Sequence, residues 1–406
     1  MYIFILINGC SDRRKYPVDS ISANDSLFVV DVDSIQDTEV KYLSDFFHSV
    51  HTTILDDIPE ALFGTFSKMA VIDSLLIVLD IGISNSVFVF DHKGNFIRKI
   101  GSIGKGPGEY LTVYDITYDP INRSLMLLDT WSQKINVYDL QTGIYTGSIR
   151  LKGDVDRLVR AYHIHYQDGV IYTDAYFDFP SPRNYLLRSF SDRGIQRTKH
   201  LRTEDYNKGW NNIDFVEKSV FSDFGGNEGV LFHQQFMDTI MMIQNNRIFP
   251  YAILKSKRFV TNDQIKQIYK NRRNRGNKIP FEDLYGMDVI WGISNIVLHK
   301  DFLFFRYHDG EYRGEQILYH KETGATSKVY LINDVLYKEE IQERVYQSYL
   351  CANSKGLYTY IDIDDFELLV NHARAGLLSL PSDQIEKIIQ LNEKPNHVIL
   401  YYEYKN

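Results

Sequence analysis

Three observations predict an all-β protein, a β-propeller of six blades. The stretch from residue 74 to residue 101 is repeated between residues 124 and 151. Each copy holds short apolar runs separated by turn residues, and aromatic residues, which favour strands, make up 14% of the chain. The third observation is the spacing of the two copies, about 48 residues, which is typical of propeller blades.

The alternation within each copy indicates antiparallel strands. Val87 and Val89 point to one side and Phe88 and Phe90 to the other, which is the period of two expected of a strand. Glycine follows at the turn in both copies, where a positive φ is expected. The positions that match between the copies are Asp80 and Asp129, Asp91 and Asp139, and Gly94 and Gly143.

A glycine-rich segment, residues 101–110, joins the two copies. A phosphate-binding loop would need Ser or Thr after the lysine and a helix to follow. Lys105 is instead followed by Gly106, and predicted strands lie on both sides. We therefore interpret the segment as the connection between two blades.

The later blades are less regular, and two predicted helical insertions interrupt them. Strand patterns recur over residues 169–201, 229–254 and 295–332, and again from residue 356. The insertions span about residues 258–290 and 364–392. In the first, a helix is predicted from Thr261 to Lys270, with Thr261 or Asn262 as its N-cap, and Arg272–Arg275 follow as an exposed basic loop.

The remaining length gives the number of blades. From Pro59 onward the chain has about 347 residues, and without the insertions about 287, which is six blades of about 48 residues. An open ring would expose sheet edges. We therefore expect a strand that precedes Phe63 to complete the last blade beside the strand Val398–Tyr404.

The N-terminus predicts a lipid anchor. An apolar run ends in Ile7-Asn8-Gly9-Cys10, which resembles the lipobox of bacterial lipoproteins, and a polar segment follows. The alternative is a frayed terminus with an incidental cysteine. We predict a truncated lipoprotein signal, lipidation site and tether over residues 1–25, with Cys10 lipidated, and one propeller domain over residues 26–406. Cys351 then has no disulfide partner and is expected to be a small buried hydrophobe.

Several motifs together resemble a known family. The glycine-rich joint, the segment Lys134–Asp139 and Gly143 resemble an NHL repeat. With the lipobox and Ser44-Asp45-Phe46-Phe47, the chain resembles the six-bladed β-propeller lipoproteins of bacterial cell envelopes. The resemblance implies a propeller fold and a lipid-anchored protein of the cell envelope, at the periplasmic or surface face of the outer membrane. It implies no established reaction.

The charge of the chain excludes some partners. A net charge of -8 and a pI near 5.9 give no bulk attraction for nucleic acid or for an anionic membrane. Membrane contact is expected only through the lipid at Cys10, and the protein is expected to be a monomer without a cofactor. The Arg272–Arg275 run could contact an anionic ligand, but a solvated segment beside a helix is the preferred interpretation.

The candidate metal ligands form incomplete sets. His163 and His165 would share one face of a strand, but no third ligand can be placed, so a partly exposed pair without metal is expected. The acidic cluster Asp362, Asp364 and Asp365 lacks the glycine and terminal glutamate of a calcium loop. Four further side chains are candidates for the mouth of the channel: Arg157, Arg160, Trp210 and Trp291.

Two functions remain open on the sequence. The first is a binding or scaffold propeller for a glycan, peptide or protein, to which we assign no catalytic, cofactor-binding or metal-binding residue. The second is a hydrolase or lyase acting on a carbohydrate or lactone in the central channel. Three or more converging carboxylate, His or Arg side chains with shifted pKa values would favour the enzyme. A channel lined by aromatic rings and neutral amides would favour binding.

Overall fold

The computed structural model is an all-β propeller of six blades, each an antiparallel sheet of four ring strands. Strands β1 (Phe28–Asp31), β2 (Thr38–Tyr42) and β3 (Phe47–Ile54) precede the first blade. The structure describes residues 27–154, 157–175, 184–210, 219–223, 229–275, 284, 287–309, 315–342, 349–361, 363–391 and 397–405.

The first three blades follow one another along the chain. Blade 1 contains β4 (Lys68–Ile72), β5 (Leu75–Asp80), β6 (Ser86–Asp91) and β7 (Phe96–Ile100). A short pair, β8 (Ser102–Ile103) and β9 (Glu109–Tyr110), leads to blade 2. Blade 2 contains β10 (Val113–Asp119), β11 (Ser124–Asp129), β12 (Lys134–Asp139) and β13 (Tyr145–Arg150). Blade 3 contains β14 (Ile164–Gln167), β15 (Val170–Asp174), β16 (Tyr185–Ser191) and β17 (Gln196–Arg202).

The other three blades carry the insertions. Blade 4 contains β18 (Phe221–Asp223), β19 (Val230–Phe232), β20 (Thr239–Gln244) and β21 (Arg247–Lys255). Blade 5 contains β22 (Gly292–Leu298), β23 (Phe302–His308), β24 (Glu315–His320) and β25 (Thr326–Ile332). Blade 6 contains β26 (Tyr349–Asn353), β27 (Gly356–Tyr360) and β28 (Val398–Tyr404).

The N-terminal strands bind three blades in succession. Strand β3 pairs antiparallel with β28 and is the fourth strand of blade 6, so the predicted closure of the ring is confirmed. Strands β1 and β2 pair parallel with β21 and β25 and form fifth, outer strands on blades 4 and 5. The pairing of β1 and β2 with these blades was not predicted, because the sequence of a short outer strand does not indicate which strand it pairs with.

Six apolar clusters, one between each pair of adjacent blades, form the core. In β5, Ile77 and Leu79 belong to the cluster shared with blade 2, whereas Leu76 and Val78 belong to the cluster shared with blade 6. Both faces of β5 are therefore buried, and the same holds for β11 in blade 2, which explains why both copies of the repeat contain continuous apolar runs.

The aspartate that recurs in the repeat is a structural acceptor. Asp80 accepts hydrogen bonds from the backbone N–H groups of Gly64 (2.9 Å) and Ser84 (3.0 Å). Asp129 accepts likewise from Leu111 (2.9 Å), before the first strand of its blade. Burial alone would raise the pKa of Asp80, but its backbone donors outweigh burial and lower that pKa. The repeated carboxylate ties the loop before a blade to the blade's second strand.

The glycine-rich segment connects blades 1 and 2, as predicted. Gly108 has φ +73, and its carbonyl accepts a 2.8 Å hydrogen bond from the buried Tyr138 hydroxyl. The Glu109 carboxylate accepts a 2.6 Å hydrogen bond from the Gly106 N–H. The loop's own side chain thus satisfies the backbone donor that a phosphate would need.

Four α-helices lie among the described residues: α1 (Thr203–Tyr206), α2 (Asn262–Arg275), α3 (Ile363–Arg374) and α4 (Ser382–Ile389). The last three confirm the two predicted insertions. Thr261 caps α2, since its hydroxyl accepts from the Gln264 N–H at 3.3 Å and Gln264 accepts from the Thr261 N–H at 2.8 Å. None of the four combines the length and apolar character needed to cross a bilayer.

The loop predicted for Arg272–Arg275 is wrong, because α2 continues through Arg275. Arginine is a good helix former, and a positive charge is favourable at a helix C-terminus, so nothing ends the helix before this run. Gly276 lies outside the described residues.

A buried charge on β3 tests the closure. Val50 is 4% exposed within the cluster between blades 5 and 6, whereas Val29 on β1 is 47% exposed. We expect Val50→Asp to lower the free energy of unfolding by about 3 kcal/mol, because the carboxylate would be buried without a partner. Val29→Asp should change it by less than about 0.5 kcal/mol. Urea denaturation measures both, and equal effects would contradict closure by β3.

Candidate functional site

The central channel holds a cavity of about 860 Å³. The first strand of every blade contributes to its wall, and these strands are β4, β10, β14, β18, β22 and β26. This volume lies in the range of small-molecule sites. The ring strands therefore form the channel wall. Among the described residues, none in α2, α3 or α4 lines the cavity.

The two ends of the channel differ in charge. Among the described lining residues only Asp73 and Asp168 carry carboxylates, and both lie in turns between the first and second strands of their blades. At the opposite end, side chains from blades 4 and 5 form a polar group that we call the blade 4–5 corner. It consists of His233, Gln235, Trp291, Ser294, Arg306 and His308.

Aromatic packing and hydrogen bonds fix the imidazoles of the corner. His308 Nε2 lies 2.7 Å from Ser294 Oγ, and its ring stacks on Trp291 with 5.1 Å between centroids. The Trp291 indole N–H donates to the Asp309 carbonyl at 2.9 Å, which fixes the indole. His233 Nε2 lies 3.0 Å from the Met237 carbonyl. These contacts leave little rotational freedom to either imidazole.

Burial keeps both imidazoles of the corner uncharged at neutral pH. It lowers the pKa of His233 to about 4, against smaller opposing effects of the Met237 carbonyl and Asp238. Burial also lowers the pKa of His308 to about 4, and the nearby positive charge of Arg306 adds to the effect. At pH 7 the corner therefore offers neutral imidazoles, a guanidinium and a primary amide.

An ion pair between a half-buried lysine and a buried aspartate lies in the opposite wall. Lys68 Nζ lies 2.6 Å from Asp115 Oδ1 and donates to the Ile116 carbonyl at 3.0 Å. The other oxygen of Asp115, Oδ2, accepts from the Ile164 N–H at 2.8 Å. This carboxylate joins blades 1, 2 and 3 where they meet the channel, so the lysine charge there is already neutralised.

Of the four candidates for the channel mouth, the structure places one in the channel. Trp291 lines the cavity, whereas Trp210 is buried in the cluster between blades 4 and 5 and packs on Phe236 at 4.8 Å. Arg157 and Arg160 are not among the described residues that line the cavity. Cys10, the predicted lipidation site, lies outside the described residues.

The two histidines of blade 3 correct the expectation of a partly exposed pair. Both are buried, because strand β14 lies between blades 2 and 4. His163 Nδ1 is 3.7 Å from Asp174 Oδ2, and His165 lines the cavity. Within the ranges that the structure describes, no three His, Cys, Asp or Glu side chains are grouped as a metal site would require.

Two other sequence expectations have mixed outcomes. Cys351 is half-buried and lines the cavity, so it is less enclosed than predicted. Of the acidic cluster, Asp362 lies outside the described residues, and α3 runs through the other two positions. The two described members of the cluster therefore lie in a helix and not in a calcium loop.

Sequence reasoning missed most of the corner. Strand pairing aligns Phe232 of blade 4 with Leu79 of blade 1, so His233 occupies the position that is Asp80 in blade 1. A histidine at the position where the repeat has its structural aspartate could have marked His233 as unusual. Ser294, Arg306 and His308 gave none, because blade 5 is too irregular in sequence for its strand register to be read.

These features define the class of protein: a six-bladed β-propeller with a ligand-sized central channel. The chain belongs to the family described as Domain of unknown function (DUF4934), which it matches over residues 27–403. Comparison with proteins of curated function found no match.

Solved structures from Bacteroides are similar to this chain. One is a Bacteroides fragilis NCTC 9343 protein named as a candidate exported protein, which is 17% identical with a TM-score of 0.71. The match covers 93% of this chain and 100% of that chain. A second, a member of the DUF4221 family from Bacteroides vulgatus ATCC 8482, is 12% identical with a TM-score of 0.48, covering 89% and 98%. At 17% identity, the likeness to the Bacteroides fragilis protein supports the fold alone.

The buried histidines predict acid lability. An unfolded histidine has a pKa of about 6.5, so between about pH 6.5 and about pH 4 the unfolded chain binds protons that folded His233 does not. Stability is therefore complete above this window and falls as the pH is lowered through it. When the pH is lowered from about 7 to about 4.5, we expect the free energy of unfolding to fall by about 2 kcal/mol less in His233→Gln than in the wild type. Urea titrations at each pH measure the free energy of unfolding. The same pH dependence in the wild type and in His233→Gln would contradict the prediction.

Proposed function

We propose that this chain is an exported propeller that binds a short glycan in its central channel. The observation that carries the proposal is the wall of the channel. It combines aromatic rings with neutral hydrogen-bonding groups and the guanidinium of Arg306, and its two described carboxylates lie at the end away from the blade 4–5 corner. The aromatic residues at the corner end are Phe66, Phe221, Trp291, Tyr349 and Tyr360.

The chemistry of the wall suits a saccharide. Sugars present apolar C–H faces that pack on aromatic rings, and hydroxyls that need paired donors and acceptors. Gln235 and Asn353 carry amides, and the neutral imidazole of His308 adds a hydrogen-bonding group. The cavity of about 860 Å³ accommodates a few sugar units but not a folded protein.

Two features support export and anchoring in a cell envelope. The segment Ile7–Cys10 resembles a lipobox, and the similar Bacteroides fragilis protein is named as a candidate exported protein. We propose that Cys10 carries lipid and that a tether links it to the propeller. The channel would then be presented to glycans on the outer face of a membrane.

A substitution that fills the channel tests the binding proposal. Ser222 lies on β18 and lines the cavity. We expect Ser222→Trp to reduce binding of any glycan that the wild type captures on an array by at least about tenfold, because the indole occupies the ligand volume.

Ser148→Trp is the matched control. Ser148 is exposed on β13, the outermost strand of blade 2, and its replacement should leave glycan binding unchanged. Binding that survives Ser222→Trp in a folded protein would place the ligand outside the channel. No capture of any glycan by the wild type would contradict the proposed ligand class.

A labelling experiment tests the anchor. In its bacterial host, the full-length precursor should incorporate radiolabelled fatty acid, and Cys10→Ser should abolish the label because the acceptor thiol is gone. Cys351→Ser should retain the label. An unlabelled precursor, or label that persists in Cys10→Ser, would refute lipidation at this cysteine.

A further inference from the structure

A serine and a histidine face each other across blade 5, inside the channel. Ser294 lies on β22, opposite Arg306 on β23, and His308 lies opposite Gly292. Ser294 and His308 are thus diagonal neighbours on one face of the sheet. Their side-chain atoms Oγ and Nε2 are 2.7 Å apart, and both residues line the cavity.

The backbone beside the serine is irregular. The register of β22 on β23 shifts between Ser294 and Val297, where a β-bulge interrupts the ladder. Asn295 in the bulge has φ +51, which is uncommon for a residue other than glycine. Bulges are common at sheet edges and barrel rims and next to active sites, and they redirect a side chain. Similar register shifts occur in other blades, including one beside Ser189, so the bulge accounts only for the direction of the Ser294 side chain.

The His308 ring nitrogen Nε2 faces the serine hydroxyl and can accept its proton. In the tautomer with hydrogen on Nδ1, Nε2 accepts from the serine hydroxyl. Stacking on Trp291 fixes the ring plane. Burial lowers the pKa of His308, which keeps the ring neutral at pH 7 but also makes it a weaker base than a free histidine, so its placement beside the hydroxyl is what favours the role. Arg306 lies opposite Ser294 in the strand register, so its positive charge is near the serine. A positive charge there would stabilise the negative charge that develops when the serine attacks.

We propose that Ser294 is a nucleophile and His308 its general base, and that the channel hydrolyses a carboxylic ester, such as an acyl group carried on a sugar. Ser294 Oγ attacks the carbonyl carbon while His308 Nε2 takes the hydroxyl proton. The C–O bond of the ester breaks, and His308 returns the proton to the leaving alkoxide. Water, deprotonated by His308, then releases the acid and restores Ser294. Atoms and electrons balance without a further reactant.

The protein contains a matched pair away from the channel. Ser189 and His200 are also diagonal neighbours, on β16 and β17, with Oγ and Nε2 2.9 Å apart. Burial lowers the pKa of His200 to about 4 as well. Ser189 is 5% exposed, however, and neither residue is among the described lining of the cavity. The second pair thus separates the effect of the hydrogen bond from the effect of access to the channel.

A fluorophosphonate probe tests the proposal on the full-length protein. It reacts with an activated serine by forming an O–P bond and releasing fluoride. We expect one adduct by intact mass, and peptide mapping of the wild type should place it on Ser294. Ser294→Ala should abolish the adduct, whereas Ser189→Ala should react like the wild type. His308→Gln should slow labelling at least about 100-fold, since it removes the base.

Several results would overturn the proposal. They are the absence of an adduct on folded wild type, an adduct mapped to another residue, and undiminished labelling of His308→Gln. Circular dichroism confirms that each variant is folded, and mapping on the wild type does not depend on any variant.

Glycan capture on the same preparations separates the two proposals. An unlabelled protein that still binds glycans refutes the Ser294–His308 pair alone, and a labelled protein that binds none refutes only the glycan ligand.

Discussion

The packing of one blade on the next is the interaction on which the rest of this structure depends. The inner strands of each blade lie between two other blades, so successive residues on both faces of these strands must be apolar, as in β5 and β11. In β6, Val87 and Val89 face blade 2 while Phe88 and Phe90 face blade 6. Six such clusters form a closed cycle, and none is complete unless both of its blades are. The N-terminal strands fit this constraint, because β3 supplies the fourth strand of blade 6.

The same packing decides how much of the fold could be predicted from sequence. Blades 1 and 2 repeat their apolar runs, their aspartate and their turn glycine, so the spacing of Asp80 and Asp129 was enough to indicate a propeller and to expose both insertions. The outer strands β1 and β2 were missed as fifth strands, because an edge strand pairs through its backbone and its side chains carry little information about the partner. The Arg272–Arg275 segment was misread as a loop, since helix propensity extended α2 through it.

The candidate site was largely beyond sequence reasoning, for a physical reason. Ser294 and His308 come together only through the register of β22 on β23, and a bulge shifts that register. Trp291 was singled out as a channel residue and lies there, but Trp210 belongs to the core. The ring is the scaffold, and the corner contributes polar side chains to the channel wall. Burial between blades both orients the imidazoles and lowers the pKa of His233 and His308 to about 4, so the fold sets their protonation state.

Hydrogen exchange of the backbone amides tests most directly whether β3 is an integral part of the ring. Four of its residues, Val50 to Thr53, pair with residues Ile399 to Tyr402 of β28. If closure by β3 holds the ring together, the amides of this ladder should exchange only through global unfolding, at the rate of the β11–β12 ladder of blade 2. Exchange of the β3–β28 ladder that is orders of magnitude faster, with blade 2 still protected, would show that the ring is stable without β3 and would contradict this account.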